Sequence, residues 1–279
     1  MPENAERPFI AASSLDEALA ARRAGATVLA GGTWLMRDLR RGVELPESIV
    51  TLHTIPALSR IEIEPDRIAL GAGVTHATLA RELRGVQGAE ALVTAAESAA
   101  NPAIRRAATL GGNLCTADFE AADLVPALLA LDTTVELHAE SGTVLLPFTE
   151  FLASRRTLLA TAILTRVLVA RTVVASSHAR LPLRRAGDYP VAIVSIAIGK
   201  DGTPRIAVGS VEAVARRWST LETVLGSHLP APSEALALAE ASNDFVGRDG
   251  VEADGWYRRQ VLPALFARAV GALPSEAVR

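Results

Sequence analysis

Two short stretches carry residue types that could grip an anion: "LAGGTWLM" at 29–36 and "ATLGGNLCTAD" at 108–118. Each holds a Gly-Gly pair, Gly31-Gly32 and Gly111-Gly112. Thr33 stands beside the first pair, and Thr109 and Asn113 flank the second. Glycine lets backbone N–H groups approach an oxygen without a side chain in the way, and it reaches the positive φ that a nest of N–H groups needs. The hydroxyls and the amide add donors, so a pyrophosphate could be held without a lysine. Either pair taken alone is as readily a tight exit from a strand. G-x-G-x-x-G does not occur, and "GAG" at 71–73 lacks the third glycine. No Gly-Lys-Ser/Thr occurs either, so a bound dinucleotide would not sit on a Rossmann turn or a P-loop.

Composition narrows the classes. The 279-residue chain is 49% hydrophobic and 21% charged, with a formal net charge of −3. That is a globular profile with room for two domains. Arginines occur in scattered pairs and Lys200 is the only lysine, so no basic stripe marks a nucleic-acid surface. Cys115 is the only cysteine, which excludes an internal disulfide, a cysteine-ligated iron–sulfur cluster and a cysteine-rich zinc site within this chain. The five histidines, at 53, 76, 138, 178 and 228, show no metal-ligand spacing. The polar "MPENAERPFI" lacks the apolar core of a signal peptide and no run reaches membrane-spanning length, so the expected location is the cytoplasm.

The elements that would position these residues can be read from periodicity. "SSLDEALAARRAG" is a capped amphipathic helix, and "TVLA" is a short buried strand leading into Gly31. "SIVTLHTI" and "IEIEPDRIALGAG" alternate as strands, which places His53 on a strand. "THATLARELR" and "GAEALVTAAESA" are helical, with His76 helping to cap the first. Helix, strand, turn at Ser141-Gly142 and strand follow, with His138 on a strand. Residues 162–180 are two strands, and "YPVAIVSIAIGKDGTPRIAVGSV" is a hairpin around Asp201-Gly202. From Ser219 onward the chain is Ala- and Leu-rich with helical period. This order predicts an α+β protein in two units rather than a regular βαβ alternation, with a boundary near residue 167.

Seven segments together resemble the FAD-binding medium subunit of the molybdenum hydroxylases, the family that includes carbon monoxide dehydrogenase and xanthine dehydrogenase. They are "RPFIAASSLDEALA", "LAGGTWLM", "IALGAGVTHATLAR", "AATLGGNLCTAD", "DLVPALLALDTTVEL", "LRRAGDYPVA" and "YRRQVLPALFARAV", in the family's order across almost the whole chain. The resemblance implies a two-lobed FAD-binding domain of the vanillyl-alcohol-oxidase or para-cresol-methylhydroxylase (PCMH) type over 1–167, with lobes of about 1–55 and 56–167. A smaller C-terminal domain of antiparallel sheet plus helices follows over 168–279.

By the same resemblance both Gly-Gly segments wrap the FAD pyrophosphate. Leu29, Ala30, Gly31, Gly32, Thr33, Trp34 and Leu35 would form the first loop. Ala108, Thr109, Gly111, Gly112 and Asn113 would form the second. Asp123 would reach the ribitol or ribose hydroxyls, and Leu164 and Tyr189 would lie by the cofactor. Trp34 would flank adenine or flavin, or else pack under its loop. "ADFEAAD" is one residue longer than the family's usual spacing, so Asp118 could substitute for Asp123. "FLASRRTLLATAILTRVLV" is shorter than usual, and Leu181 or Arg180 stands where many relatives carry lysine. Cys115 reads as a small buried hydrophobe or a neighbour of the FAD, and Arg184 and Arg185 as a structural or interface pair.

No His or Cys stands in the first loop, so the FAD would be noncovalent. The expected function is electron relay. Molybdopterin on a large subunit and iron–sulfur clusters on a small subunit would feed this FAD, which would pass electrons to NAD, oxygen or another acceptor. A dimer of heterotrimers would carry the reaction, with no catalytic side chain and no metal in this chain. The alternatives are a self-contained FAD-dependent oxidoreductase of the PCMH fold, and a cofactor-free assembly subunit.

Overall fold

The computed structural model describes residues 8–184 and 188–274. The first lobe comprises β1 (Phe9–Ala11), α1 (Leu15–Arg23), β2 (Thr27–Leu29), α2 (Thr33–Arg40) and β3 (Ile49–Thr51). Its strands are parallel in the order β1-β3-β2, with Val50 opposite both Ile10 and Val28. The lobe is therefore a small regular βαβαβ unit, which the sequence pattern does not reveal. Strands of 3 residues carry too few positions to show a period. Helix α1 is capped reciprocally. Ser14 Oγ accepts from Glu17 N–H (3.1 Å), and the Glu17 carboxylate accepts from Ser13 N–H (2.7 Å). Strand β2 is half-buried, not buried as its residues suggest, because it forms the sheet edge.

The second lobe runs through β4 (Ile61–Ile63), β5 (Arg67–Gly71), α3 (His76–Leu83), α4 (Glu90–Ser98), α5 (Pro102–Ala107) and α6 (Leu110–Cys115). It continues with α7 (Leu124–Ala130), β6 (Thr134–Ala139), β7 (Gly142–Pro147), α8 (Phe148–Thr161) and β8 (Ala162–Ala170). The strands form an antiparallel sheet in the order β4-β5-β8-β6-β7. Ile163 of β8 enters the first lobe's core beside Leu19, Val50 and Leu52, so one strand serves both lobes.

The sheet changes at Arg171-Thr172, since β8 runs on through residue 167 and β9 (Val173–Pro182) starts a new sheet. With β10 (Pro190–Gly199), β11 (Pro204–Gly209) and β12 (Arg216–Arg217) it forms the antiparallel order β12-β11-β10-β9. Helices α9 (Ser219–Leu225), α10 (Pro232–Ala241) and α12 (Leu262–Gly271) build the core over one face, and α11 (Gly255–Gln260) leads into α12. Val194, Ile196 and Ile198 pack against them, whereas Ala197 joins the core of the second lobe. Strand β10 is buried along its whole length for this reason, and a strand covered on both faces reads as a continuous apolar run. The β10–β11 hairpin turns at Asp201-Gly202 as expected.

The helical reading of the tail fails over 243–254, which forms an irregular strap. Gly247, at φ 85°, packs so closely on the backbone of Gly255 that a Cβ would collide with its carbonyl oxygen. Among the described residues no helix is long and apolar enough to cross a membrane, and no cluster of His, Cys, Asp and Glu could hold a metal ion.

Candidate functional site

The two glycine pairs, far apart in sequence, meet in space. In each pair the first glycine is demanded by a neighbouring backbone. A Cβ on Gly31 would collide with the carbonyl oxygen of Ala107, and one on Gly111 would lie 2.9 Å from the carbonyl oxygen of Ala72. The second glycine of each pair is free of that constraint. Gly32 stands at φ 69° and starts α2, while a Cβ on Gly112 would meet only Thr109 Oγ1 at 3.0 Å and the Ala30 Cβ at 4.0 Å.

Backbone hydrogen bonding divides the two loops. In the second, every N–H from 110 to 113 is taken internally. Leu110 donates to Val74 O (2.8 Å), Gly111 to Ala72 O (2.7 Å), Gly112 to Thr109 Oγ1 (3.0 Å) and Asn113 to Thr109 O (3.0 Å). Thr109 is thus the cap of α6, and the loop offers an incoming anion side chains rather than a nest. Among the described residues, no acceptor takes the N–H groups of Gly31, Gly32, Thr33, Trp34 or Leu35. These belong to the loop and the first turn of α2, where an α-helix leaves its donors unsatisfied and its dipole favours negative charge. Asn113, directly after Gly112, has a buried Oδ1 without a partner.

An aromatic group lies beside the first loop. Trp34 packs on Phe119 with centroids 4.6 Å apart, and Phe119 meets Tyr189 edge-on at 5.7 Å. The Arg37 guanidinium sits 4.1 Å from the Trp34 ring centroid and 5.5 Å from that of Tyr189. Tyr189 keeps 36% of its surface exposed. Sequence reasoning reached Trp34 and Tyr189 and missed Phe119 and Arg37. The available signals were the extra residue in "ADFEAAD" and the i, i+3 spacing of Trp34 and Arg37 on one helix.

Asp123 occupies a different setting. Its carboxylate is buried and accepts from Arg180 Nε (2.7 Å), and Arg180 also donates to Asp188 O (2.7 Å). Burial raises the Asp123 carboxyl to about 6 despite the opposing guanidinium. The pair joins the start of α7 to β9 and so holds the second lobe against the C-terminal sheet. Asp118 is exposed and paired with Arg156. Leu164 is buried in the second lobe's core. Cys115 packs on that core, and burial pushes its thiol up to about 12.

Other expectations need correction. His53 lies in the turn after β3, where its Nδ1 is 3.0 Å from Thr51 Oγ1. His138 does lie on a strand and meets Asp16 Oδ1 at 2.8 Å. The cap of α3 is Thr75, whose Oγ1 accepts from Thr78 N–H (3.2 Å). His76 instead enters the core, donates its backbone N–H to Ala108 O (2.9 Å), and leaves a buried Nε2 without a partner. Arg184 pairs with Asp188 (3.2 Å); Arg185 lies outside the described residues.

The alpha subunit of the 6-hydroxypseudooxynicotine dehydrogenase complex of Paenarthrobacter nicotinovorans is 30% identical, over 94% of this chain and 92% of that one. The nicotine 6-hydroxylase medium subunit of the same organism is 27% identical, over 87% and 88%. A chain of quinoline 2-oxidoreductase from Pseudomonas putida 86 shares the fold with a TM-score of 0.87 at 23% identity, over 98% of both chains. A chain of carbon monoxide dehydrogenase from Hydrogenophaga pseudoflava does so with a TM-score of 0.85 at 22% identity, over 95% and 96%. Residues 4–171 match the family described as the FAD binding domain in molybdopterin dehydrogenase. The chain belongs to that family of FAD-binding domains.

Proposed function

We propose that this chain is the FAD-carrying electron-transfer subunit of a molybdenum-dependent hydroxylase or dehydrogenase. One observation carries the reading: the N–H groups from Gly31 to Leu35 are unclaimed, Ala30 at the head of their loop stands opposite the open side of Gly112, and the neighbouring Asn113 Oδ1 is buried without a partner. The first loop suits a pyrophosphate, and the buried Asn113 Oδ1, an acceptor, lacks a donor that a hydroxyl of the bound cofactor would supply. Bound FAD supplies the ability to accept and pass on electrons one or two at a time.

The chain's own residues bind, orient and shield. The first loop would hold the phosphates, with Leu29 and Ala30 leading into it. Asn113 would complete the second loop, which Ala108 and Thr109 hold in place. Trp34, Phe119 and Tyr189 would border the ring system, with Arg37 stacked between the outer two. Asp123 is proposed to face the cofactor's hydroxyls with whatever of its carboxylate Arg180 leaves free, and Leu164 to back the site from the core. The first loop contains no nucleophile, so attachment is noncovalent. No residue here is assigned acid or base work on an organic substrate.

Relatives named as the medium subunit of a hydroxylase and the alpha subunit of a dehydrogenase complex support a place in a multi-subunit enzyme. We take the partners to be a molybdopterin-binding large subunit and an iron–sulfur small subunit, as a dimer of heterotrimers. NAD, oxygen or another acceptor receives the electrons. In the reconstituted complex, the organic substrate should bleach the flavin absorbance. With the iron–sulfur subunit omitted it should not. Rapid reduction of the isolated chain by an organic substrate would replace this reading with a self-contained oxidoreductase.

A further inference from the structure

We propose that Ser210 and Arg258 form a buried clamp that positions Phe119 and Tyr189, which makes both of them positioning residues for the flavin's surroundings. The inference rests on the FAD reading above and extends it to residues far from the glycine loops.

Ser210 follows β11 at φ 65°, in the left-handed region that favours glycine, and is fully buried. Every polar group it owns is engaged. Its N–H donates to Glu120 O (3.1 Å) and its Oγ to Pro190 O (2.6 Å). Its carbonyl accepts from Arg248 Nε (3.1 Å) and from Arg258 Nη1 (3.0 Å). Arg258 has no exposed surface. Nη1 also donates to Val191 O (2.7 Å), Nε to Arg248 O (3.1 Å) and Nη2 to Glu252 Oε2 (3.1 Å). A guanidinium this deep is tolerated only when its donors are matched, and its planar fork reaches several carbonyls and a carboxylate at once.

The connections converge on the rings. Glu120 directly follows Phe119 and Pro190 directly follows Tyr189 in the chain. The two rings are in edge contact with each other, and Phe119 packs on Trp34. Ser210 therefore fastens the residue immediately after each ring to one point, and Arg258 fixes that point to the 243–254 strap and to β10. A glycine would satisfy the backbone angle at 210 without strain, but it would lose the bridge to Pro190. The serine hydroxyl is what the site retains against that strain.

Ser210→Gly separates the two roles, because it relaxes the backbone and deletes only the hydroxyl. Arg258→Lys keeps the charge and loses the fork. Both would be purified with FAD and compared with wild type by thermal melting, FAD affinity, flavin fluorescence and flavin midpoint potential. The expected result for Ser210→Gly is an unchanged melting temperature and an affinity within about tenfold of wild type. Flavin fluorescence should rise severalfold as Tyr189 loosens, its tie through Pro190 lost while the backbone tie of Glu120 beside Phe119 is kept, with a shifted potential. Fluorescence and potential matching wild type would overturn the inference, whatever happens to the melt. Should Arg258→Lys fail to fold, Ser210→Gly decides alone. A wild-type chain that holds no flavin would overturn the FAD reading and the clamp together. A yellow wild type with spectrally unchanged variants would overturn the clamp only.

Discussion

The carbonyl oxygen of Ala107 fills the place where a side chain on Gly31 would have to go. Through that contact the first loop rests on the end of α5, directly before the second loop. The loops are one structural unit, and their glycines perform two distinct tasks. Gly31 and Gly111 permit backbones to pack, whereas Gly32 and Gly112 shape the open face.

Gly31→Ala should therefore damage the fold itself. The obstructing atoms belong to backbone, which cannot rotate aside, and overpacking of this kind costs about 3 kcal/mol. Urea unfolding of the flavin-free protein should show this loss. A Gly31→Ala variant with wild-type stability would mean that the loops can part without cost.

Gly112→Val should do the reverse. At this position the nearest atoms are the Thr109 hydroxyl that caps α6 and a methyl group rather than backbone, so the flavin-free fold should lose about 1–2 kcal/mol, the cost of disturbing that cap. The side chain would project from the second loop toward Ala30 of the first. FAD affinity should fall at least tenfold, about 1.4 kcal/mol, by titration of the apoprotein. Full FAD occupancy would make this glycine only a turn residue.

Asp123→Ala tests the other candidate contact. Removing it leaves Arg180 buried without its counter-ion, and breaking a buried pair this way costs about 3–5 kcal/mol. The double change Asp123→Leu with Arg180→Met should recover much of that stability. A single variant that lost FAD but no stability would instead place Asp123 among the cofactor ligands.

Acid should destabilise the protein. Burial holds His76 at about 4 and His178 at about 3, against 6.5 for the free side chain. Below pH 6.5 the unfolded chain therefore binds protons that the folded chain refuses, and stability falls as pH drops towards 4. Asp123 acts oppositely. Its folded value of about 6 exceeds the free value of 3.8, so its contribution is lost as pH rises between the two. Two histidines outweigh one aspartate, leaving a net loss of roughly 1.4 kcal/mol per pH unit of acidification across the shared window. Urea midpoints across that window should follow this slope. Replacing both histidines with glutamine should reverse it, leaving Asp123 alone to add roughly 1.4 kcal/mol per pH unit of acidification between about 6 and 4.

The sequence made the glycine loops, the capped first helix and the β10–β11 hairpin legible because each depends on neighbours in the chain. Ser14 and Glu17 sit within one turn of helix, and Gly202 marks its own turn. What it hid depends on distant partners. Nothing local distinguishes Asp123 as a ligand from Asp123 as the partner of Arg180. The split between Gly31 and Gly32 follows from Ala107, a residue of another element. Phe119 meets Trp34 and Tyr189, residues of distant segments, and His76 looks like a cap until Thr75 is seen to fill that role.

FAD should leave the protein on acid precipitation. Covalent attachment needs a nucleophile near the flavin, and the first loop reads Gly31-Gly32-Thr33-Trp34, with neither histidine nor cysteine. The one thiol, Cys115, is pushed up to about 12 by burial, so almost none of it is thiolate near neutral pH. Among the histidines closest in sequence to the loops, His76 is buried and neutral, while His53 lies in the turn after β3 with its Nδ1 near Thr51. Trichloroacetic acid should therefore release a yellow supernatant whose chromophore chromatographs as FAD, leaving a colourless pellet. The protein's intact mass should equal that of the bare polypeptide. Flavin retained in the pellet, or a mass increment of one FAD, would show a covalent bond and send the search to those two histidines.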